Sequence, residues 1–352
     1  MKSIRVSETL RIGEGEPCFI IAEAGSNHNR DFELAKKLVA VAAVAQASAV
    51  KFQIFSAAKI YSKKTPKMSY LKEKQLAPES ESVYDLIQKL ELPRHWLQDL
   101  KAYSEEKGLI FMATPFDLDA VDCLEEAGVL LYKVASFEIT HLPMLRRISQ
   151  TGKPIILSTG MADLADIERA LEAIHSAGSS PVVLLHCAIN YPPDYADIHL
   201  RAMQTLRQAF DVPVGFSDHT MDAVCDIAAV ALGATVIEKH FTLDRTLPGP
   251  DHPFAVEPAE LRGIVAAIRN TEKALGSPIK KHTQAEDELY RLARRSLVAA
   301  RNIPKGTVIT AEMLEVKRPG FGIPTYLMDV VIGRRAGVDI EEDDILTWDM
   351  IG

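Results

Sequence analysis

The chain has 352 residues, 47% hydrophobic and 25% charged, with 40 basic against 48 acidic side chains for a formal charge of −8. That composition suits one large globular domain plus a small satellite and excludes disordered and fibrous classes. The acidic balance argues against a nucleic-acid or anionic-membrane surface, which needs clustered positive charge, but it leaves room for a small anionic substrate held by a few lysines in a cleft. Cys18, Cys123, Cys187 and Cys225 are scattered without C-x-x-C spacing. They speak against a disulfide framework or a cysteine zinc site and fit a reducing cytoplasm. Met1-Lys2-Ser3-Ile4-Arg5-Val6 lacks the apolar stretch of a signal peptide. The most apolar run, 38–50, is interrupted by Gln46 and too short to span a bilayer.

Strand-like and helix-like segments then alternate. Short apolar runs at 19–24, 49–55, 109–115, 130–135, 154–159, 182–187, 212–217 and 235–241 read as strands buried on both faces, as in a parallel sheet. Helical patterns at 31–47, 93–107, 119–127, 142–150, 163–177, 199–210, 222–232 and 258–275 separate or follow them. Asp31 is placed to cap the first, Pro93 starts the second, and Gly128, Gly152, Gly178 and Gly276 stand where helix C-caps are expected. Eight β-α units over roughly 260 residues predict a closed (β/α)8 TIM barrel, with a doubly wound open sheet as the alternative. The polar stretch 56–81 reads as a long loop on the catalytic face. After Gly276 the pattern stops: the barrel takes 1–276, a polar linker 277–292, and a small β-rich domain 293–352, with β-like pieces at 296–300, 308–309 and 314–316.

Active sites of such barrels form at the C-terminal strand ends. Glu23, then Gly25-Ser26-Asn27-His28-Asn29, end the first strand; Lys51 and Gln53, two apart, share one face of the second. Thr114 ends the third, Lys133 with Ser136 and Glu138 the fourth, Ser158 the fifth, Asn190-Tyr191-Pro192 the sixth. Ser217-Asp218-His219 and Glu238-Lys239-His240 end the seventh and eighth, so His219 and His240 become ring neighbours suited to a shared divalent-metal site with open positions. Without a metal, they are two hydrogen-bonded structural histidines. Lys51 and Lys133 stand in otherwise apolar strands and require anionic partners. Those partners are either Glu23 and Glu138 or a bound phosphate or carboxylate, with Thr114, Ser158 and Ser217 as neutral donors. Glu238 lies two before His240, on the same face, and its plainer reading is a buried partner for a lysine. Lys133 as a Schiff-base nucleophile is a separate enzyme class. His186, Cys187 and Cys225 belong to the core or its margin, and His28 is expected at the surface.

Several motifs together resemble the sialic acid synthase family, the nonulosonate synthases. They are Ile21-Ala22-Glu23-Ala24-Gly25-Ser26-Asn27-His28-Asn29, Val50-Lys51-Phe52-Gln53, Ala113-Thr114-Pro115-Phe116, Lys133-Val134-Ala135-Ser136-Phe137-Glu138, Ser158-Thr159-Gly160-Met161, Gly215-Phe216-Ser217-Asp218-His219, Glu238-Lys239-His240-Phe241-Thr242 and Pro248-Gly249-Pro250-Asp251-His252. Arg294-Arg295-Ser296-Leu297 and Lys317-Arg318-Pro319-Gly320-Phe321-Gly322-Ile323 resemble the family's antifreeze-like (SAF, β-clip) domain. Nearly the whole chain takes part.

The resemblance implies a transferase that condenses phosphoenolpyruvate with an N-acetylated aldose, N-acetylmannosamine or a diacetamido hexose, and releases phosphate by C–O cleavage. It implies that His219 and His240 bind a divalent metal, commonly Mn2+, with Mg2+ or Co2+ as substitutes. Lys51, Thr114, Lys133, Ser136, Ser158 and Ser217 match positions that grip phosphoenolpyruvate, and Asn190 falls on the phosphate side of the loop after strand six. Glu23 matches a carboxylate that handles protons beside the reacting carbon. Gln53, Glu138, Tyr191 and Asp251 match sugar-facing positions. Arg318 matches the arginine that a partner subunit's antifreeze-like domain lends to the N-acyl group, which implies a homodimer. Two departures stand out: Arg30 replaces the usual glycine after Asn27-His28-Asn29, and Ala188-Ile189-Asn190 replaces a small polar residue. Competing expectations are the Lys133 pyruvate aldolase and a sugar- or ice-binding protein built on the tail.

Overall fold

The computed structural model describes residues 3–66 and 82–352. The chain divides into two compact units, Met1–Gly276 and Ser277–Gly352.

The first unit is the expected barrel. Its strands are β1 (Phe19–Gly25), β2 (Ala49–Ile54), β3 (Ile110–Pro115), β4 (Tyr132–Val134), β5 (Ile155–Ser158), β6 (Val182–Cys187), β7 (Val214–Asp218) and β8 (Val236–His240). They form one eight-stranded sheet in which β8 pairs in parallel with both β1 and β7, joining the two ends of the sequence pattern. The ladder is interrupted only between β3 and β4, whose Cα atoms still pass within 8 Å of each other. The interleaved helices are α1 (Phe32–Val44), α2 (Ala57–Ile60), α3 (Val83–Leu90), α4 (Leu97–Glu106), α5 (Leu118–Ala127), α6 (Leu142–Ser149), α7 (Leu164–Ala177), α8 (Ala202–Phe210), α9 (Val224–Ala231) and α10 (Pro258–Leu275).

Strand alternation sorts the side chains. One set packs outward against the helices, including Ile20, Ala22, Val50, Phe52, Phe111, Val134, Leu157, Leu184, Phe216 and Ile237. The other set fills the barrel axis: Phe19, Ile21, Ala49, Met112, Leu131, Ile156, Val183, Leu185 and Val236. An antiparallel pair that the sequence did not announce, Ile4–Arg5 with Arg11–Ile12, adds Ile4 and Ile12 to this axial cluster. Gly215 is a glycine because a Cβ there would lie 2.4 Å from the Val236 carbonyl oxygen. Further along the same inward face the residues turn polar: Glu23, Lys51, Thr114, Lys133, Ser158, Ser217 and Glu238 are all buried.

Several boundaries differ from expectation. Asp31 caps α1 as predicted, accepting from the Glu33 and Leu34 amides, and Gly128 closes α5 in the left-handed region. Asp117 rather than Asp119 caps α5, because its side chain reaches the Ala120 amide. The segment 93–107 begins as a 3-10 turn, Arg94–Trp96, before α4. The helices expected at 199 and 222 start later, at Ala202 and Val224. Gln150, not Gly152, caps α6, and Gly178 caps α7 with extended backbone. The stretch 56–81 opens with the short helix α2 and is followed by α3; residues 67–81 lie outside the described residues.

In the second unit, α11 (Asp287–Leu292) occupies part of the expected linker. β9 (Ser296–Ala299) pairs antiparallel with β10 (Leu314–Lys317), and α12 (Met328–Val331) follows. The piece at 308–309 is no strand: Val308 makes an isolated bridge to Arg335. Leu297, Ala299, Ile303, Ile309, Ile323 and Leu346 form this unit's own small core.

His28 corrects the surface expectation: it is fully buried, its ring lying between Phe52 and Trp96 at 6.2 and 6.0 Å. Its Nδ1 accepts from the Arg30 amide at 3.0 Å, a bond formed because Arg30 takes a left-handed φ of 55°. Burial pushes His28 and the likewise buried His252 down to about 4. The unfolded chain therefore binds protons below about pH 6.5 that the native state refuses until about pH 4, so stability is lost as pH falls through that window, at about 1.4 kcal/mol per unit of depression. The urea midpoint, followed by circular dichroism, should drop between pH 7 and pH 5. His28→Leu should lower the midpoint at pH 7 yet show a shallower drop. An equal drop in the variant would contradict a neutral buried imidazole.

Candidate active site

The polar mouth of the barrel is built on Lys51 and Lys133, 3% and 2% exposed. Burying an ammonium is costly unless it is paired and hydrogen-bonded. Lys51 Nζ lies 2.8 Å from Glu23 Oε2 and 3.6 Å from Glu238 Oε2, and donates to Thr114 Oγ1 at 2.8 Å. Lys133 Nζ donates to Ser158 Oγ at 2.7 Å and to the Val134 carbonyl at 3.0 Å, with Glu238 Oε1 at 3.5 Å. Glu238 also accepts from Ser217 Oγ at 3.0 Å. The lysines' counter-ions are thus Glu23 and Glu238. Glu138, expected in that role, sits half-buried elsewhere, lining a cavity of about 310 Å3 with Lys59, Phe116, Asp117 and His141. The cause is register: Glu238 opposes Ser217 on the inward face, whereas Glu138 follows the end of β4 in a 3-10 turn.

The charges set one another's titration. Burial would raise Glu238, but Lys133 and Lys51 overcome it and hold the carboxyl at about 2. Burial would lower Lys51, and Glu23 and Glu238 outweigh it, so its ammonium is held above the ordinary value. At Lys133 burial wins and the pKa falls, Glu238 only partly opposing it. Glu23 is raised by burial against the pull of Lys51.

Next to this cluster stand His219 and His240, ring centroids 5.2 Å apart and both buried. His219 Nδ1 lies 2.7 Å from the Ala188 carbonyl, which fixes the tautomer with Nε2 bearing the lone pair. His240 Nδ1 is buried with no hydrogen-bond partner. Burial, followed by the neighbouring positive groups, lowers the two imidazoles to about 4 and about 3. Two neutral, closely set imidazoles, one with an orphaned ring nitrogen, fit a borderline divalent cation. Among the described residues no third His, Cys, Asp or Glu completes a ligand set with them. Such an ion would take its remaining ligands from substrate and water. The Tyr191 ring packs on the pair, 4.3 Å from His219 and 6.2 Å from His240, backed by Phe254 at 4.8 Å.

On the β1 side, Gln53 Nε2 donates to Glu23 Oε1 at 2.8 Å and Ser26 Oγ to Asp251 Oδ2 at 3.3 Å. Burial and the Glu23 charge lift the Asp251 carboxyl to about 6. Ser136 Oγ accepts from the Gly160 amide at 2.9 Å beside Ile189. The structure therefore links Glu23, Lys51, Gln53, Thr114, Lys133, Ser158 and Ser217 through the lysines and Glu238, sets Tyr191, His219 and His240 in ring contact with one another, and ties Asp251 to Ser26. Asn190 is exposed, and among the described residues no hydrogen bond joins it to the lysines. Arg318 is exposed in the second unit, its Nε donating to the Ala293 carbonyl at 2.7 Å. Sequence reasoning missed Asp226, which joins Asp218 around Lys239. A lysine inside an apolar strand on the face opposite the site was the available signal.

Gly25 holds the β1 side open. Its φ of 54° is left-handed, and a Cβ there would sit 3.1 Å from Asp251, 3.3 Å from Gln53 and 3.4 Å from Glu23. Gly25→Ala should cost about 1 kcal/mol or more of stability and displace these three side chains. Turnover should fall at least tenfold while the circular dichroism spectrum stays native. A variant with full turnover would show that these three groups do not need their present spacing.

Comparisons with known proteins find relatives along both units. A family model described as the NeuB family matches residues 38–280, and a SAF domain model matches 294–352. The chain is 43% identical to N,N'-diacetyllegionaminic acid synthase of Campylobacter jejuni, over 93% of this chain and 98% of the relative. It is 41% identical to the enzyme of the same name from Legionella pneumophila, over 96% of each. Among solved structures, N-acetylneuraminic acid synthetase of Leptospira borgpetersenii superposes with a TM-score of 0.71 at 35% identity, covering 82% of this chain and 95% of that one. The chain belongs to the NeuB family, with a SAF domain following its barrel.

Proposed function

We propose that the protein condenses phosphoenolpyruvate with an N-acetylated amino sugar and water to give a nonulosonic acid and inorganic phosphate, and that the sugar is a diacetamido hexose. The observation that carries the reaction is the pair of buried lysines, each on a hydroxyl and a shared carboxylate, set against two neutral imidazoles at the open end of the barrel. Two of the relatives above 40% identity, both named for N,N'-diacetyllegionaminic acid, support the doubly acetylated sugar.

In this reading Lys51 and Lys133 hold the phosphate and carboxylate of phosphoenolpyruvate, with Thr114, Ser136, Ser158 and Ser217 donating to its oxygens. His219 and His240 would hold a divalent ion, Mn2+ by resemblance, which when bound acts as a Lewis acid toward the sugar carbonyl. Tyr191, Gln53 and Asp251 orient the sugar so that its C1 meets C3 of the enol. The enol π pair forms the C3–C1 bond, and the carbonyl π pair passes to the sugar oxygen, which takes up a proton to become a hydroxyl. Positive character is left on C2, which the glutamates near the lysines favour. Water adds to C2 and gives up a proton, for which Glu23 is positioned as acceptor. The C2–O bond then breaks, and phosphate departs with the bonding pair into the lysine cradle. Four free cysteines support a reducing compartment, and a cytoplasmic place is part of the proposal. No helix among the described residues is long and apolar enough to cross a membrane. A dimer in which each Arg318 reaches the partner's bound N-acyl group is part of the proposal, supported by its exposure.

The lowered pKa of Lys133 keeps the Schiff-base aldolase as a second reading. The two separate cleanly. With phosphoenolpyruvate and a panel of N-acetylated hexoses, EDTA should abolish phosphate release, Mn2+ should restore it, and borohydride with pyruvate should leave Lys133 unmodified. Reduction of a pyruvate adduct onto Lys133 would establish the aldolase instead. Lys51→Ala and Lys133→Ala should each weaken phosphoenolpyruvate binding by more than about tenfold, since charge-assisted bonds are worth roughly 1.5–3 kcal/mol, and leave Mn2+ affinity in place. Reversed effects would exchange the roles assigned to lysines and histidines.

Trans capping is tested by complementation. His219→Ala and Arg318→Ala proteins, each inactive alone, are refolded together in equal amounts. Reciprocal capping in a two-fold dimer makes about a quarter of all sites competent. Capping within one chain leaves every site with one defect and the mixture inactive.

A further inference from the structure

Behind the two histidines, on the outer face of the same strands, lies a second buried charge cluster that the proposed chemistry does not use. Lys239 is 1% exposed, and Asp218 and Asp226 are fully buried. Lys239 pairs directly with Asp218 across the β7–β8 ladder, and its Nζ lies 3.2 Å from Asp226 in α9. The same ammonium donates to the Asp222 carbonyl at 2.8 Å and lies 3.4 Å from Thr220 Oγ1. Asp218 in turn accepts from the Thr220 amide at 2.9 Å and from Thr220 Oγ1 at 2.7 Å. One lysine therefore gathers the strand end, the turn and the helix that surround His219 in sequence.

Alternation ties this cluster to the site. Asp218 and Lys239 are the immediate neighbours of His219 and His240 and point to the opposite face. The two strands are thus fastened on both sides: Ser217 to Glu238 inside at 3.0 Å, Asp218 to Lys239 outside. His219 lies between two residues whose side chains bond each other, so its backbone has little freedom to turn. His240 is held on its other side by the Val256 amide, which donates to its carbonyl at 3.0 Å. An ion pair directly opposite across a ladder also resists slippage of β8 along β7, and a slip of one residue would turn His240 away from His219.

We infer that Lys239 and Asp218 are positioning residues for the metal pair, fixing from behind the barrel wall the spacing at which His219 and His240 bind one divalent ion. The inference rests on the metal role proposed above for those histidines. Asp218→Asn is the decisive variant, because the amide keeps the shape and leaves Lys239 its second carboxylate; Lys239→Met is the stronger perturbation. The measurements are Mn2+ affinity by electron paramagnetic resonance on the full chain and the visible spectrum of bound Co2+, alongside the thermal midpoint. Asp218→Asn should fold cooperatively, bind Mn2+ at least tenfold more weakly at 25 °C and shift the Co2+ bands. Folded Lys239→Met should weaken binding further; if it fails to fold, Asp218→Asn alone decides. A lowered thermal midpoint with Mn2+ affinity within twofold of wild type and an unchanged Co2+ spectrum would overturn the positioning role and leave the cluster a stabilising one. Absence of Mn2+ and Co2+ binding by the wild-type protein would overturn the histidine assignment itself, and this role with it.

Discussion

Two ammonium groups kept inside a dry barrel govern the rest of the design. Lys51 and Lys133 cannot stay charged there without carboxylates, and Glu23 and Glu238 supply them from strands that meet only when the barrel closes. The resulting quartet is close to neutral, and Thr114 and Ser158 each accept one further ammonium proton. For the dianion proposed to bind here, the cations are already oriented and buried, so little reorganisation would be left for the moment of binding. Glu238 carries the greatest demand: it faces both lysines and Ser217 and stays ionised because of them.

Closure also explains how much was legible in the sequence. Continuous apolar runs with single charges near their C-terminal ends identify buried parallel strands with polar tops, and two-residue spacing places Lys51 with Gln53 on one face without coordinates. Adjacency of His219 and His240 follows from consecutive strands in a ring. These features are local or topological, so one chain suffices to see them. Family resemblance added the reaction and residue roles that spacing alone left open.

What stayed hidden depends on long-range choices. Glu23, Glu138 and Glu238 look alike in sequence; only register decides which carboxylate faces a lysine. His28 sits in a run of polar residues, yet the turn at Asn29 and Arg30 folds it under Trp96. Lys239 reads as one more strand-end charge until α9 brings Asp226 beneath it. The start of α5 was off because its side-chain cap, Asp117, lies two residues before the periodic segment, and α8 and α9, which start later than the pattern, have no side-chain cap to mark them. In each case the deciding partner is remote in sequence or the deciding bond is a single side-chain contact, which composition and period do not encode.

The apolar axial cluster, with Ile4 and Ile12 joined to it, makes the barrel a well with one mouth. On β2 Lys51 lies one inward position deeper than Gln53, and on β8 Glu238, the carboxylate facing both lysines, lies one deeper than His240. On the proposed assignment, an anion seated on the lysines would sit below a sugar at Gln53 and His240, and that upper occupant would block its escape. Traffic through such a well would be last in, first out: the deeper anion, or the phosphate that the proposed reaction makes of it, would leave only after the sugar-derived product has cleared the opening.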